Sequence, residues 1–270
     1  MVMKRKLYLL KLGGSIITDV SKRSTPLYEE VRRILGEIKE AKESQDFDII
    51  IGHGSGSFAH IPAKEYKVNE GLVNENSRKG SSITQQVAQE LNRIIIEEGT
   101  KLGLNTFQFA PSSFAMAENG TLVEGTTAHI KEALGSGFVP VVYGDVVIDR
   151  KKGVCIASTE KVFGFLAKNF EVDKVIMATD VDGVFDKNPT EENAKLIESI
   201  DGSNINDVTQ STGTNASRVD VTGGMRTKVL GVYEMVRRSG NAGVIINGKV
   251  QGRIRDALLG KDVVGTVVAP

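Results

Sequence analysis

Short apolar runs alternate with longer stretches of helical periodicity along this chain. The first two apolar runs, KLYLLKLGG and FDIIIGHG, both end in glycine. The segments PLYEEVRRILGEIKEAKES and SSITQQVAQELNRIIIEEGTKLG instead place apolar residues at helical spacing. Four later runs, NTFQFA, FVPVVYG, KVIMATD and AGVIING, predict further strands. Helices are expected near 126–136, 157–169 and 223–239, and hairpin turns at AENGTL and IDRKKGV.

The apolar runs do not alternate with polar residues, which predicts strands that are buried on both faces. Such strands, separated by helices, are typical of an open, mostly parallel sheet in a three-layer αβα sandwich. No Pro/Ser-rich linker or repeat divides the sequence, so a single α/β domain over residues 1–270 is expected. In open sheets of this kind the ligand binds outside the carboxyl ends of the strands.

Composition and charge exclude several classes of protein. The 270 residues include 34 Lys plus Arg and 34 Asp plus Glu, so no overall field attracts nucleic acid or an acidic membrane. The apolar run near the N-terminus is interrupted by Lys11, and no stretch approaches the roughly 18 to 20 apolar residues of a membrane helix. The single cysteine, Cys155, excludes an internal disulfide and suits a reducing compartment. We therefore expect a cytoplasmic soluble protein.

Glycine is enriched, with 29 residues against about 19 at the average usage of ~7%. The glycines cluster after predicted strands, in KLGGS (11–15), GHGSGS (52–57), TDVDG (179–183) and VTGGM (221–225). Glycine allows a backbone to approach a ligand closely and to point its N–H groups at an anion. A following helix N-terminus adds a positive dipole end. Several such loops together indicate a binding site for a polyanion.

Two common nucleotide motifs do not account for these loops. The P-loop pattern GxxxxGK[ST] is absent from the sequence. GSGSFA (54–59) fits the dinucleotide pattern GxGxxG/A, but that pattern expects an acidic residue ending a second strand about 20 residues later. Here the segment EGLVNENSRKG offers no strand for Glu75 to end. A dinucleotide-dependent dehydrogenase is therefore disfavoured.

Taken in order, KLGGSIITD, HGSGSFAH, TDVDGVF and VTGGMRTK resemble the motifs of the amino acid kinase family. Within that family, HGSGSFAH with its trailing histidine is similar to isopentenyl phosphate kinases, and fosfomycin kinase shares the histidine. The resemblance implies an acceptor-binding lobe over about 1–170 and a nucleotide-binding lobe over about 171–270. It also implies a homodimer.

The activity implied by the resemblance is ATP- and Mg²⁺-dependent phosphorylation of isopentenyl phosphate to isopentenyl diphosphate, a step of isoprenoid biosynthesis. Two alternatives remain open. One is a kinase for another small phosphate or phosphonate such as fosfomycin. The other is a nucleotide-sensing module with the same fold and no turnover. Lys11, Lys228 and His60 argue against a sensor, because a sensor has less need of a lysine for phosphoryl transfer.

The resemblance also implies roles for individual residues at the nucleotide. Lys11 would bridge the donor and acceptor phosphates, where neutralising negative charge accounts for much of the rate enhancement of phosphoryl transfer. A lysine inside an apolar run can alternatively be an edge residue whose ammonium reaches water. The other expected ATP-binding residues are Gly13, Gly14, Ser15, Gly56, Asp180, Gly224 and Lys228. No residue is assigned as a metal ligand.

At the acceptor, the expected residues lie in two segments. Gly54, Ser55 and His60 come from the histidine-containing loop, with His60 as a donor to the acceptor phosphate. Ser158 and Thr159 come from the start of a later helix. The remaining histidines, His53 and His129, are expected to have structural or no roles.

The sequence departs from the family pattern at two positions. A second lysine is usual after ITD, but Val20 stands there, followed by Lys22 and Arg23. The family's SGDD is replaced by STEK (158–161), so that Glu160 stands where an aspartate that orients the catalytic lysines is expected. The expected catalytic set is therefore Lys11, His60 and Glu160.

Overall fold

The computed structural model describes residues 5–214 and 224–270. The strands in these ranges are β1 (Leu7–Leu12), β2 (Asp48–His53), β3 (Thr106–Gln108), β4 (Ala115–Glu118), β5 (Thr121–Gly125), β6 (Val139–Tyr143), β7 (Asp145–Asp149), β8 (Gly153–Ala157), β9 (Lys174–Thr179), β10 (Val184–Phe185), β11 (Leu196–Ile197), β12 (Ser199–Ile200), β13 (Gly243–Asn247) and β14 (Gly265–Val268).

The helices lie between groups of these strands along the chain. They are α1 (Gly14–Ile17), α2 (Tyr28–Ser44), α3 (Gly56–Glu65), α4 (Ser77–Lys101), α5 (Pro111–Phe114), α6 (Ala128–Gly135), α7 (Thr159–Leu166), α8 (Ile205–Thr214), α9 (Gly224–Ser239) and α10 (Arg253–Leu258), with a 3₁₀ turn at Val68–Glu70. No helix in the described ranges is both long enough and apolar enough to cross a bilayer.

The main sheet has eight strands in the order β12-β14-β13-β9-β1-β2-β6-β3. Within it β13 and β14 pair in antiparallel fashion, and the other neighbours are parallel. Successive residues of the central strand β1 enter different cores: Leu9 packs on the side of α7 and α9, and Leu10 packs on the side of α2 and α4. The prediction of an open, mostly parallel sheet between two helical layers is confirmed.

A second, four-stranded sheet, ordered β5-β4-β7-β8, was not predicted as a unit. Its two hairpins, β4–β5 and β7–β8, turn at the predicted AENGTL and IDRKKGV segments. A single glycine, Gly144, separates β7 from β6 of the main sheet. The main sheet therefore leads directly into the second sheet at this point, which places β7 and β8 beside the carboxyl ends of β1 and β2.

Other differences from the sequence prediction concern element bounds and short strands. β14 and α10 were not predicted, and α4 begins at Ser77, before the predicted SSITQQ segment. The Ser77 hydroxyl accepts hydrogen bonds from the N–H groups of Val73 and Asn74, which fixes the chain just ahead of this helix.

The buried carboxylate of Asp149 joins the two hairpins of the second sheet. It accepts hydrogen bonds from the N–H groups of Asn119 and Gly120 in one turn, and of Lys151 and Lys152 in the other. Burial alone would raise the pKa of Asp149, but these four N–H groups favour the charged form and hold the pKa well below its ordinary value.

We predict that Asp149→Asn lowers the free energy of unfolding by about 2 kcal/mol near neutral pH, measured by urea denaturation. The amide would turn an N–H group toward the N–H of Gly120, which now donates to Oδ2 at 2.6 Å. Because the folded-state pKa is depressed, the stabilisation is present above the unfolded pKa of about 4 and is lost as the pH falls below it. The wild type and the variant should therefore converge in acid.

Glu118→Gln provides the matched control on the same hairpin. Glu118 is half-buried and its side chain lies 3.6 Å from Lys151, so the loss of its charge should change stability by less than about 0.5 kcal/mol. A difference between wild type and Asp149→Asn that does not shrink toward pH 2 would contradict this account of the Asp149 carboxylate.

Candidate active site

A cavity of about 980 Å³ opens at the carboxyl ends of β1, β2 and β9. Nearly all the residues that the sequence singled out line it: Lys11, Gly13, Gly14, Ser15, Gly54, Ser55, Gly56, His60, Ser158, Thr159, Glu160, Asp180 and Lys228. Gly224 lies outside this lining, and residues 221–223 of VTGGM lie outside the described residues. The fold thus brings five separate segments of the chain to one site.

The first two glycine loops pack directly against each other. A Cβ atom on Gly14 would lie 2.4 Å from the backbone nitrogen of Gly56. Gly56 itself has a φ of +46°, and a Cβ there would lie 2.1 Å from Oγ1 of Thr18. Thr18 ties the loops together, because its hydroxyl donates to the Gly14 carbonyl and accepts from the N–H of Ser57. Glycine is required here for loop-to-loop contact, independently of any ligand.

Three polar groups of the expected phosphate-binding residues form hydrogen bonds within the protein. The N–H of Gly13 donates to the Ala178 carbonyl at 2.8 Å, and the N–H of Gly54 donates to the Leu12 carbonyl at 2.9 Å. Both groups therefore hold the loops on the sheet. The hydroxyl of Thr159 donates to the His53 carbonyl at 2.6 Å, so its proton also has an internal acceptor.

Ser158 has a structural role at the start of α7. Its side chain is the N-cap of that helix and accepts from the N–H of Lys161 at 3.4 Å. An oxygen at this position satisfies one of the N–H groups that the first helical turn leaves unpaired. Ser158 borders the cavity as predicted, with its oxygen engaged by the helix.

Lys11 and Glu160 form a buried ion pair in the floor of the cavity. Lys11 lies near the end of the central strand β1, between β2 and β9, and Glu160 lies in the first turn of α7. Both side chains are only 6% exposed. Burial alone would raise the pKa of Glu160, but the charges of Lys11 and Lys228 outweigh it and lower the pKa. Glu160 is thus held as a carboxylate between two lysines.

Lys228 reaches back along α9 as the sequence predicted. Its Nζ lies 3.4 Å from the carbonyl of Gly224, the first residue of that helix, and it lines the cavity. Asp180 borders the same end of the cavity directly after β9. Arg226 is exposed on the same helix.

The three histidines occupy different environments. His60 lies in the second turn of α3, which begins at Gly56, rather than in a loop; it is partly exposed and lines the cavity. His53 is buried at the end of β2, where burial lowers its pKa to about 4. His129 is exposed at the start of α6 and is not part of the cavity.

The position of the missing second lysine is part of the cavity wall. Val20 lines the cavity and is 57% exposed. Lys22 lies outside the lining and pairs with Asp19 at 3.4 Å, and Arg23 also lies outside the lining. Neither basic neighbour therefore takes the place of a lysine at Val20 in this structure.

One end of the cavity is apolar, and its individual residues could not be told from the sequence. Its walls come from α3, α4 and the second sheet, and the apolar residues are Ala59, Ile61, Ala63, Ala88, Val146 and Ile156. The buried carboxyl of Asp145 borders this region; it accepts from the N–H groups of Ser112 and Val146, and burial raises its pKa. Single alanines on helices do not indicate a ligand pocket in the sequence, because the shape of this wall depends on how the helices pack.

Comparisons with known proteins agree with this arrangement. The sequence profile of the amino acid kinase family matches residues 6–247. The isopentenyl phosphate kinase of Methanocaldococcus jannaschii is 35% identical over 270 residues, which cover 97% of this chain and 98% of that protein. The isopentenyl phosphate kinase of Methanothermobacter thermautotrophicus is 34% identical, covering 96% of this chain and 97% of that protein. A crystal structure of an isopentenyl phosphate kinase superposes with a TM-score of 0.83 at 31% identity, covering 97% of this chain and all of that one.

We predict that Lys11 and Glu160 are strongly coupled in stability. Lys11→Met and Glu160→Gln should each lower the free energy of unfolding by about 3 kcal/mol, because each leaves a buried charge without its partner. The double variant should lower the free energy of unfolding by clearly less than the sum of the two single-variant effects. The measurement is a double-mutant cycle in urea without ligands.

The exposed pair Lys39 and Glu43, 3.6 Å apart on α2, is the matched control. The equivalent cycle with Lys39→Met and Glu43→Gln should give a coupling within about 0.5 kcal/mol of zero. If the effects of Lys11→Met and Glu160→Gln on the free energy of unfolding were simply additive, the two side chains would not stabilise each other.

Proposed function

This chain belongs to the amino acid kinase family, and we propose that it transfers the γ-phosphoryl group of ATP to isopentenyl phosphate, giving isopentenyl diphosphate and ADP. The observation that carries the proposal is the combination found in one cavity: glycine loops and lysines at one end and an apolar wall at the other. A phosphate head with a short hydrocarbon tail matches that division. The proposed role is a step of isoprenoid biosynthesis.

The acceptor itself needs little activation. The second pKa of a phosphate monoester is near 6, so at neutral pH it is mostly a dianion and already a competent nucleophile. In the proposed reaction one of its oxygens bonds to the γ-phosphorus of ATP, and the bond from that phosphorus to the bridging oxygen of ADP breaks. The main obstacle is repulsion between two anions. A site for this reaction therefore needs positive charge and hydrogen-bond donors more than a base.

The residues of the cavity are suited to these tasks. Lys11, between the glycine loops, would neutralise charge on the transferring group, and Glu160 would hold its ammonium in place. Lys228 would bind the phosphates of ATP, together with the N–H groups of Gly14 and Ser15 at the start of α1. His60 would donate to the acceptor phosphate from α3. These assignments put the nucleotide toward β9 and α9 and the acceptor toward α3 and the second sheet, in keeping with the proposed lobes 171–270 and 1–170.

Mg²⁺ is proposed as the companion of ATP. In the described ranges no three His, Cys, Asp or Glu side chains cluster as a ready metal site. Mg²⁺ commonly binds substrate phosphates with few protein ligands, so the lining is compatible with an ion that arrives on the nucleotide. When bound, it would neutralise part of the phosphate charge. Glu160, engaged by Lys11, is an unsuitable ligand, whereas Asp180 is a further carboxylate in the lining.

The apolar end would take the isopentenyl tail. Ala59 and Ala63 of α3 face this space with Ala88 of α4, and Val146 and Ile156 close it from the second sheet. Burying a five-carbon tail is favourable by roughly 0.8 kcal/mol per methylene. A small polar phosphonate such as fosfomycin would leave this wall in contact with water, which favours the prenyl acceptor.

We predict that purified protein consumes ATP with isopentenyl phosphate and far more slowly with fosfomycin, UMP or glutamate. His60→Ala should lower kcat/KM for isopentenyl phosphate by about 100-fold, because it removes a donor that also fixes the geometry of attack. His60→Asn and His60→Gln keep a donor and should retain more activity. The measurement is ADP release, with the product identified by ³¹P NMR.

His129→Ala, on an exposed surface away from the cavity, is the control and should behave as wild type. Preference for fosfomycin or another acceptor would identify a different small-molecule kinase. ATP binding without turnover on any acceptor would instead identify a nucleotide sensor. Full activity of His60→Ala would remove His60 from the acceptor site.

A homodimer is proposed through the β3 edge of the main sheet. β3 is the last strand in the sheet order, and Phe107 on it is 48% exposed. Its ring lies 5.4 Å from that of Phe109 and 5.1 Å from that of Phe138, which is 40% exposed. An exposed aromatic cluster beside a sheet edge is typical of a surface covered by another chain.

A cytoplasmic location is also proposed, because the lone cysteine is buried and forms no disulfide.

Phe107→Asp should convert the protein from dimer to monomer in sedimentation equilibrium. A charge in the middle of a buried apolar interface is costly to desolvate. Ile148→Asp is the matched control: Ile148 is 58% exposed on β7, and its substitution should leave the dimer intact. A wild-type protein that is monomeric at micromolar concentration would refute the proposed dimer.

A further inference from the structure

His53 is a buried side chain directly beneath the second glycine loop, and the proposed reaction does not use it. Its ring is stacked on that of Tyr143, with centroids 5.5 Å apart. Nδ1 lies 3.2 Å from the carbonyl oxygen of Gly54, and Nε2 lies 3.1 Å from Oδ1 of Asn92. The amide nitrogen of Asn92 donates in turn to Oε1 of Gln108 at 2.9 Å. His53 thus connects the loop to two amide side chains.

A neutral histidine cannot satisfy both of these oxygens. Burial lowers the pKa of His53 to about 4, so near neutral pH the ring carries one N–H. One ring nitrogen would then face an oxygen with no proton between them. The two oxygens are not equivalent in this respect. A half-turn of the Asn92 amide exchanges its oxygen and nitrogen at almost no steric cost. The Gly54 carbonyl belongs to the main chain and has no such freedom.

The half-turn produces a chain in which every group is paired. Nδ1–H of His53 then donates to the Gly54 carbonyl, and Nε2 accepts from the amide nitrogen of Asn92. The Asn92 oxygen then accepts from the amide nitrogen of Gln108, which is exposed and free to rotate. The opposite tautomer would leave the lone pair of Nδ1 facing the Gly54 oxygen at 3.2 Å. Hydrogen-bond satisfaction therefore selects the Nδ1–H form.

The orientation of one peptide unit depends on this contact. The peptide before Gly54 is already fixed: the His53 carbonyl accepts from Thr159, and the Gly54 N–H donates to Leu12. The next peptide contains the Gly54 carbonyl and the N–H of Ser55. In a trans peptide these two groups point in opposite directions. When the Gly54 carbonyl points toward the His53 ring, the N–H of Ser55 therefore points away from that ring. Ser55 lines the cavity.

We propose that His53, as its Nδ1–H tautomer, is a positioning residue that holds the Gly54 carbonyl and thereby aims the Ser55 N–H at the acceptor phosphate. The inference rests on the proposed function for the identity of that phosphate. The contact between His53 and Gly54 does not depend on it. Loss of the contact would allow the peptide to rotate and present its carbonyl oxygen to an anion.

The tautomer can be read without any variant of His53. In ¹⁵N-histidine-labelled protein, long-range ¹H–¹⁵N spectra distinguish Nδ1–H from Nε2–H rings, and His60→Asn and His129→Gln assign the three signals. We expect His53 to be neutral and Nδ1-protonated from pH 5.5 to 8, with no titration. An Nε2–H ring, or a ring that titrates in this range, would overturn the proposal.

Two substitutions separate positioning from packing. The side-chain amide of asparagine reaches about as far as Nδ1, and that of glutamine about as far as Nε2. His53→Asn should keep KM for isopentenyl phosphate within about threefold of wild type. His53→Gln should raise it about tenfold, the effect of losing roughly one hydrogen bond, with KM for ATP little changed. Equal effects of both variants on both substrates would indicate packing alone and would contradict the proposal.

The outcomes distinguish this inference from the proposed function. If the wild type neither binds nor phosphorylates isopentenyl phosphate, the proposed function fails, and the tautomer measurement still decides whether His53 holds Gly54. If the wild type is active but His53 is Nε2-protonated, only the present inference fails. Should the His53 variants not fold, the spectra of the wild type remain decisive.

Discussion

The structure depends above all on a lysine buried near the end of its central strand. Lys11 lies between β2 and β9 with only 5% of its surface exposed, and a buried ammonium is tolerated only with a carboxylate in contact. Glu160 supplies it from the first turn of α7. The pair therefore fixes where α7 begins relative to the sheet. α9 also passes close to Glu160. It does so at Gly231, where an added Cβ atom would lie 3.3 Å from the Cβ atom of Glu160.

The remaining features of the cavity follow from bringing main-chain segments close to this pair. The glycines at 14 and 56 allow two loops to meet above Lys11, and Gly52 allows α7 to lie on β2, where a Cβ would fall 2.6 Å from the Phe163 ring. His53 and Thr159 then fix the peptides beneath the second loop. The result is a polar end of the cavity that is built from main-chain groups, two lysines and Glu160. The second sheet and α3 add an apolar end.

The sequence pointed to the residues that gather at the polar end, but it could not show which apolar residues form the other end. Lys11, the glycine loops, Glu160 and Lys228 stand at strand ends or helix starts, and strand ends of a parallel sheet meet at one edge. What the pattern could not reveal were the partners of individual groups. The N–H of Gly13 and Gly54 and the hydroxyl of Thr159 are engaged by residues distant in sequence. His60 was placed in a loop, although α3 already starts at Gly56. The apolar wall depends on helix packing, which periodicity does not specify.

We propose that one cavity holds both substrates, with Lys11 between their phosphates. A crystal structure of the protein with isopentenyl phosphate and a non-hydrolysable ATP analogue tests it most directly. The account predicts that the Lys11 ammonium contacts oxygens of both the γ-phosphate and the acceptor phosphate while Glu160 remains paired with it, and that the isopentenyl tail lies against Ala88 and Ile156. An acceptor bound outside this cavity, or a Lys11 ammonium that contacts neither phosphate, would contradict it.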